Sequence, residues 1–321
     1  MRKNIFCVAL GAVLFALCFS AQAQPKKIPH IGYLTSSGRA SFEAFATALG
    51  QLGYVEGKSV IFEFRTTENT TQLQPKLAAE LTQLKVDLIV AVGAGAIRAA
   101  KNATSTIPIV MSEVNDPIAL GFVGSLAHPG GNITGMSNLS PELSGKRLEL
   151  LKEVVPRASR IAVLAYRGEA MRSSIKETEV AAQSLRLQVQ LLEVKAPDEI
   201  ESALDAAKKQ RADALVQIQA AFFNSHQQRI IERVAKNRLP AMFNNRIDVE
   251  VGGLMSYGYD ALERNQRVAS LVDKILKGAQ PADLPVEQPT KFELVINLKT
   301  AKQIGLTIPQ SLLYRADKVI K

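Results

Sequence analysis

The sequence has no tryptophan, two cysteines and three histidines in 321 residues. Both cysteines, Cys7 and Cys18, lie near the amino end. If that end is removed, no disulfide, thiol nucleophile or cysteine metal ligand remains. His30, His128 and His226 stand far apart with no ligand-like spacing, which argues against a metal site. Beyond the first 20 or so positions there is no long apolar run that would suggest a membrane span. The net charge of +9 is not concentrated either. Lys26-Lys27, Lys101, Lys146-Arg147, Lys208-Lys209 and Arg211 are scattered and are not grouped with aromatics, so they read as a basic, soluble surface with no nucleic-acid partner.

What is present begins with an address. Arg2 and Lys3 precede an uncharged apolar run from Ile5 to Phe19, followed by Ser20-Ala21-Gln22-Ala23. Small residues at Ala21 and Ala23 suit signal peptidase, so residues 1–23 read as a secretory signal cleaved before Gln24. A retained membrane helix fits less well, because an apolar run of about 15 is short of the roughly 20 residues that span a bilayer. Lipid attachment at Cys18 would need a small residue before it, and Leu17 stands there. Export places the mature chain in the periplasm and lowers its net charge to +7, since two cations leave with the signal. Its length is more than one domain usually takes, and hydrophobic residues at 47% of the sequence are enough for a core without disulfides.

The rest alternates short β-branched runs with longer helical patterns, the rhythm of parallel α/β structure. Strands are expected at His30–Leu34, Val60–Arg65, Leu88–Val92, Ile107–Met111 and Ile133–Met136. Helices are expected at 40–52, 73–84, 96–103 and 118–126, the last started by Pro117. The rhythm then restarts. Ser140-Pro141-Glu142 reads as an N-cap opening the helix Leu143–Val155, and strands and helices alternate again to Phe243. After Gly252-Gly253 come a strand at 254–257, a long helix at 260–276, a proline-rich connection at 279–289 and a strand at 292–297. A tail this long past the second unit implies that the chain crosses back between two lobes. The expected division is an N-terminal lobe of residues 28–136 plus 258–289 and a C-terminal lobe of 137–257 plus 290–321.

Parallel strands place the loops that follow them on one edge of each lobe, facing a shared cleft. Those loops are Thr35-Ser36-Ser37-Gly38, Gly93-Ala94-Gly95, Asn115-Asp116, Tyr166-Arg167-Gly168-Glu169, Gln219-Ala220-Ala221-Phe222 and Asn244-Asn245-Arg246. The first two run into helix N-termini, whose free N–H groups suit an anion. Each also has an ordinary reading as turn or cap chemistry, and Asp116 before Pro117 is as readily an N-cap as a ligand contact. Arg98 occupies the place of the third glycine of a dinucleotide fingerprint, and no phosphate-binding loop of the P-loop type occurs, so no cofactor is implied. The cleft serines have no neighbouring histidine, and Asp116 and Glu169 are isolated in sequence, so no nucleophile–base pair can be assembled.

Several runs resemble a family of ABC-transporter substrate-binding proteins. They are Gly53-Tyr54-Val55-Glu56-Gly57, Val86-Asp87-Leu88-Ile89-Val90, residues 103–110, Asn115-Asp116-Pro117-Ile118, residues 129–135, Lys146-Arg147-Leu148-Glu149-Leu150-Leu151-Lys152, residues 253–258, residues 273–278 and residues 285–298. The resemblance implies a type I periplasmic-binding fold: two Rossmann-like lobes, a hinge of three crossovers, and closure on a small solute, with aromatic-amino-acid binders among known members. It implies ligand contacts at Ser36, Ser37, Ala94, Gly95 and Asp116 in the first lobe and at Arg167, Phe222 and Asn245 in the second, with Tyr257 at a crossover. Amino-acid-binding members are expected to carry an aspartate near Asn245 for the ligand's ammonium group, and the asparagine here lacks that charge. Arg167 offers a fork for a carboxylate.

The expected function is a periplasmic solute receptor, acting as a monomer, that closes on a carboxylate-bearing or aromatic solute and docks on an ABC permease in the inner membrane. An exported sensor presenting its solute to a membrane partner and an exported enzyme using the same cleft are the competing readings. A cytoplasmic repressor of the same architecture would need a DNA-binding helix-turn-helix where this chain has its export signal.

Overall fold

A computed structural model describes residues 27–36, 38–67, 71–138 and 143–321. The signal segment, Ser37 and the expected cap Ser140-Pro141-Glu142 lie outside the described residues.

The first half builds a five-stranded parallel sheet from β1 (His30–Thr35), β2 (Ile61–Thr66), β3 (Leu88–Val92), β4 (Ile109–Val114) and β5 (Ile133–Ser137), in the order β2-β1-β3-β4-β5. Helices α1 (Arg39–Gly50), α2 (Gln74–Gln83) and α3 (Ala94–Ala103) connect its strands. The unbroken apolar run of β3 follows from coverage on both faces. Leu88, Val90 and Val92 pack with Phe42, Phe45 and Leu49 of α1, whereas Ile89 and Ala91 pack with Leu81 of α2 and Ile97 of α3.

The second half continues with α4 (Ser144–Val154), β6 (Arg160–Tyr166), α5 (Arg172–Ser184), β7 (Gln188–Val194), α6 (Glu199–Lys209), β8 (Ala214–Gln217), α7 (Ala221–Asn224), α8 (Gln227–Lys236), β9 (Ala241–Phe243), α9 (Arg246–Glu250) and β10 (Met255–Tyr259). The chain then returns to the first sheet as α10 (Ala261–Leu276), whose Val268, Leu271 and Val272 complete the core under α1. It bridges Glu287 to Met136 and crosses again to form β11 (Phe292–Asn297), α11 (Leu298–Gln303), α12 (Gln310–Arg315) and β12 (Lys318–Ile320). The second sheet has the order β12-β11-β10-β9-β8-β6-β7, with β10 and β11 antiparallel and the other pairs parallel. Three chain crossings therefore join two doubly wound lobes, the α/β architecture expected from the sequence.

One expected element is absent. Residues 118–126 form one turn followed by bends, and no helix. Asp116 starts a single turn, with Ala119 N–H donating to its Oδ1 at 2.9 Å, and Gly121 at φ +68° ends it. A left-handed residue there cannot continue a right-handed helix. The short helices α7 and α9 and the edge strand β12 were not anticipated, because segments of three to five residues carry too little periodicity to read.

Candidate functional site

The carboxyl ends of the strands of both lobes face each other and enclose a cavity of about 280 Å³. Its walls come from Ser36 after β1, Gln74 at the start of α2, Gly93-Ala94-Gly95 after β3, Glu113 to Asn115 at the end of β4, Tyr166 and Gly168 to Met171 at the end of β6, and Ala220 to Phe222 after β8. A larger depression of about 650 Å³ lies at the opposite, amino-terminal edge of the first sheet, near Tyr54, Asp87 and Asp273. It belongs to one lobe only. Ligands of open α/β sheets sit at the carboxyl edge, so the smaller cavity between the lobes is the candidate site.

One pole of the cavity is polar. Gly93 turns the chain into α3 at φ +87°, and a Cβ on it would stand 3.1 Å from Ala221 Cβ of the other lobe, so glycine serves both the turn and the approach. Among the described residues no side chain caps α3. Its first-turn N–H groups have no intrahelical partner and sit at the positive end of the helix dipole. Gln74, only 3% exposed, lies directly over Gly95. The other pole is apolar: Phe222 packs on Tyr166 with ring centroids 4.9 Å apart, and Met171, Val114 and Ala221 are buried beside them. His226 closes the back of Phe222 at 4.7 Å; burial, and Arg229 beside it, hold its pKa below the usual histidine value.

A buried polar network ties the two lobes beside the cavity. The register of β4 shifts between Met111 and Val114, and Glu113 there takes φ +55°, a conformation rare outside glycine. Its Oε1 lies 2.6 Å from Arg264 Nη1 of α10, with side-chain exposures of 3% and 11%. Its Oε2 accepts from Asn224 Nδ2 of the opposite lobe at 3.1 Å. Burial opposes the charge of Arg264, but Glu113 and Tyr259 outweigh it and hold the guanidinium above its usual range. Arg264 Nη1 donates to Tyr259 Oη at 3.0 Å, and Gln219 Nε2 donates to the same oxygen. Ser225 Oγ donates to Ser36 O at 3.3 Å, and Asn115 Nδ2 donates to Ser174 Oγ at 3.2 Å. The lobes are closed on each other.

Of the residues expected at the site, Ser36, Ala94, Gly95 and Phe222 line the cavity together. Ser37 lies outside the described residues. Asp116 faces a separate depression on the far side of Asn115, and its carboxylate caps the turn at Ala119, the ordinary reading of an Asn-Asp-Pro sequence. Arg167 is turned along β7, where its Nη2 donates to Glu193 O at 3.3 Å. Asn245 stands at the N-cap of α9, with its N–H donating to Asp248 Oδ2 at 3.2 Å. Tyr257 lies within β10, and its carbonyl accepts from Arg147 Nε at 2.8 Å. Burial pushes Arg147 down to about 10. This arginine, on the first helix after one crossing, braces the strand that leads to the next. Gln74, Glu113 and Met171 join the lining without having been singled out, and Tyr166 joins it as a member of an expected cleft loop that was not among the expected ligand contacts. Gln74 and Glu113 were out of reach, since their placement depends on a helix start and on a strand irregularity.

Two doubly wound lobes, three crossings and a cleft cavity walled by both define a two-lobed solute-binding protein of the type I periplasmic-binding fold. The chain belongs to the family described as ABC transporter substrate binding protein, which matches residues 36–320. It is 28% identical over 268 residues to a tyrosine-binding protein of Clostridioides difficile (strain R20291), covering 82% of this chain and 76% of that one. A crystal structure of an ABC domain from Streptococcus pneumonia in complex with L-Trp is 27% identical, with a TM-score of 0.84 over 91% of this chain and 99% of that chain. A conserved domain protein from Vibrio cholerae is 28% identical, with a TM-score of 0.85 over 91% of this chain and all of the other. Among the described residues no helix is long and apolar enough to cross a membrane.

Proposed function

We propose that this protein is the periplasmic receptor of an ABC importer. Exported through residues 1–23, it closes its lobes as a monomer on a small carboxylate-bearing, aromatic solute and delivers that solute unchanged to a permease in the inner membrane. The observation that carries this reading is the cavity itself. Both lobes wall it, with an uncapped helix N-terminus at one pole and the Phe222–Tyr166 pair at the other. A solute touching both poles stabilises the closed arrangement over the open one by its differential contacts, which is how binding becomes a signal to a partner. The volume is near the lower end for small-molecule sites, the size of an amino acid or aromatic acid. The relatives named for tyrosine and for bound L-Trp support that size and character. Among the described residues the lining contains Ser36 but no histidine to activate it, which favours binding over turnover.

The test is a thermal-shift screen of the purified mature chain against aromatic acids, amino acids and aliphatic acids, followed by mass spectrometry of the recovered solute. A raised melting temperature with unchanged solute is expected. Chemical conversion of the solute would show an enzyme, and a melting temperature unmoved by every acid and amino acid would refute the receptor reading.

A further inference from the structure

Cations that lie scattered along the sequence of the second lobe are gathered by its topology. Strands β9, β8, β6 and β7 are neighbours in that order and run parallel, so the turns leading into them share the amino-terminal edge, the end of the lobe away from the cleft. Each turn brings an arginine: Arg238 before β9, Arg211 before β8, Arg157 before β6 and Arg186 before β7. Adjacent strands lie about 4.8 Å apart, so the four stand in a row. Lys208 and Lys209 end α6, and Lys236 ends α8, at the same edge. All seven side chains are exposed, and among the described residues none forms a salt bridge. Asp213, at that edge, is taken up by the Ser159 and Arg160 N–H groups at 2.7 and 2.9 Å, and Asp205 of α6 is paired with Arg233.

The backbone adds a second observation. Arg186, Arg211 and Arg238 stand at φ +56°, +58° and +51°. Each closes a helix in the same way: Arg211 N–H donates to Lys208 O at 3.0 Å and Ala212 N–H to Ala207 O at 2.9 Å, and the other two turns repeat the pattern. That position ordinarily holds glycine or asparagine, because other side chains are strained in the left-handed region. A cation near a helix C-terminus gains from the dipole, but in α6 and α8 the last-turn Lys208, Lys209 and Lys236 already supply one. Three arginines held in strained positions along one edge point to something that the edge meets. The matching edge of the first lobe is different. Lys85 takes the same conformation there, but Lys27 is paired with Asp87 and Lys277 with Asp273.

The composition of the edge narrows the partner. No aromatic residue stands in the turns at 155–160, 184–188, 208–213 or 236–240, so the bases of a nucleic acid find nothing to stack on. Those turns also expose no large apolar side chain of the kind that anchors a protein interface. A row of long cationic side chains without an anchor suits a layer of anionic headgroups, which attracts each cation separately. We propose that the amino-terminal edge of the second lobe adsorbs to anionic phospholipid through Arg157, Arg186, Arg211 and Arg238. The contact lies at the far end of the lobe and leaves the cleft free. Adsorption does not depend on the solute; its use, holding a receptor beside the membrane that carries its permease, rests on the receptor reading above.

The experiment is co-sedimentation of the mature chain with phosphatidylcholine vesicles, with and without about 30% phosphatidylglycerol, at about 50 mM and about 300 mM salt. It is run on the parent and on two triple variants. One carries Arg186→Asn, Arg211→Asn and Arg238→Asn; the other carries Lys58→Gln, Lys76→Gln and Lys85→Asn, which removes the same charge from the first lobe. Asparagine tolerates the left-handed region, so the arginine variant should melt at or above the parent's temperature. The parent should bind the anionic vesicles and not the neutral ones, and less at high salt. The arginine variant should bind at least about tenfold more weakly, and the lysine variant within about twofold of the parent. No binding to anionic vesicles at low salt, equal binding to neutral vesicles, or equal loss in both variants would overturn the proposal. So would a parent that ignores vesicles but binds polyglutamate or single-stranded DNA, which would give the edge a different partner. The solute-induced rise in melting temperature is read separately in all three proteins, so the receptor reading stands or falls on its own.

Discussion

At the residue scale, the two poles of the cavity make separate demands. Phe222 supplies the aromatic wall and is held by Tyr166, Phe223 and His226. Phe222→Ala should lower affinity for an aromatic solute by about 10- to 100-fold, because large buried aromatics dominate such contacts. Titration of parent and variant measures it. Asp248 offers a pH test away from the cavity. Burial raises its carboxyl to about 6, against hydrogen bonds from Gln227 and the Asn245 N–H that favour the charged form. A folded value above the unfolded one means that the native state binds the proton more tightly. The resulting stability is fully present below the unfolded carboxylate value near 4 and is lost as pH rises through about 6. The shift corresponds to about 3 kcal/mol as an upper bound. Asp248→Asn cannot titrate, so its melting temperature should change less between pH 4 and pH 8 than the parent's by about this contribution. Equal pH dependence in the two proteins would remove Asp248 as the source.

At the scale of elements, much of the layout was legible and some was not, for physical reasons. Leu88–Val92 could be read to the residue because a strand buried on both faces must be apolar throughout. The amphipathic pattern of α8 fixed Gln227–Lys236 equally well, with Ile230, Ile231 and Val234 turned inward. Pro117 misled, since its helix-starting tendency was cut off by the left-handed Gly121 four residues later. Of the eight expected ligand residues that are described, Ser36, Ala94, Gly95 and Phe222 line the cavity. Asp116 and Asn245 were recruited as caps instead, which a sequence of asparagines, aspartates and prolines cannot distinguish from ligand contacts. One element also has a stability fault. On β7, at the edge of the second sheet, both polar atoms of the Gln190 amide are buried without partners. An unsatisfied buried amide is destabilising, so Gln190→Leu should raise stability by about 1 kcal/mol. Chemical denaturation reads this directly, and a destabilised variant would mean that the amide has a partner in solution.

At the scale of the whole molecule, closure rests on few lobe-to-lobe hydrogen bonds. Asn115 reaches Ser174, and from a single short segment of the second lobe Asn224 reaches Glu113 and Ser225 reaches the Ser36 carbonyl. Neither Asn224 nor Ser225 lines the cavity. Replacing both with alanine should shift the closed–open balance toward open by roughly tenfold or more, since each bond contributes about 1 kcal/mol. The variant should show a larger radius of gyration by small-angle scattering before solute is added, and a weaker apparent affinity with the same solute preference. An unchanged radius together with unchanged affinity would show that these bonds do not govern closure.

On the receptor reading proposed above, both lobes hold one small carboxylate-bearing solute between Gly95 and Phe222. A crystal structure of the mature chain with the solute recovered from the screen tests it most directly. Density for that solute is expected in the cleft, with its carboxylate at the Ala94–Gly95 turn and its ring against Phe222. Density in the depression beside Tyr54 and Asp273, or a solute touching only one lobe, would contradict it.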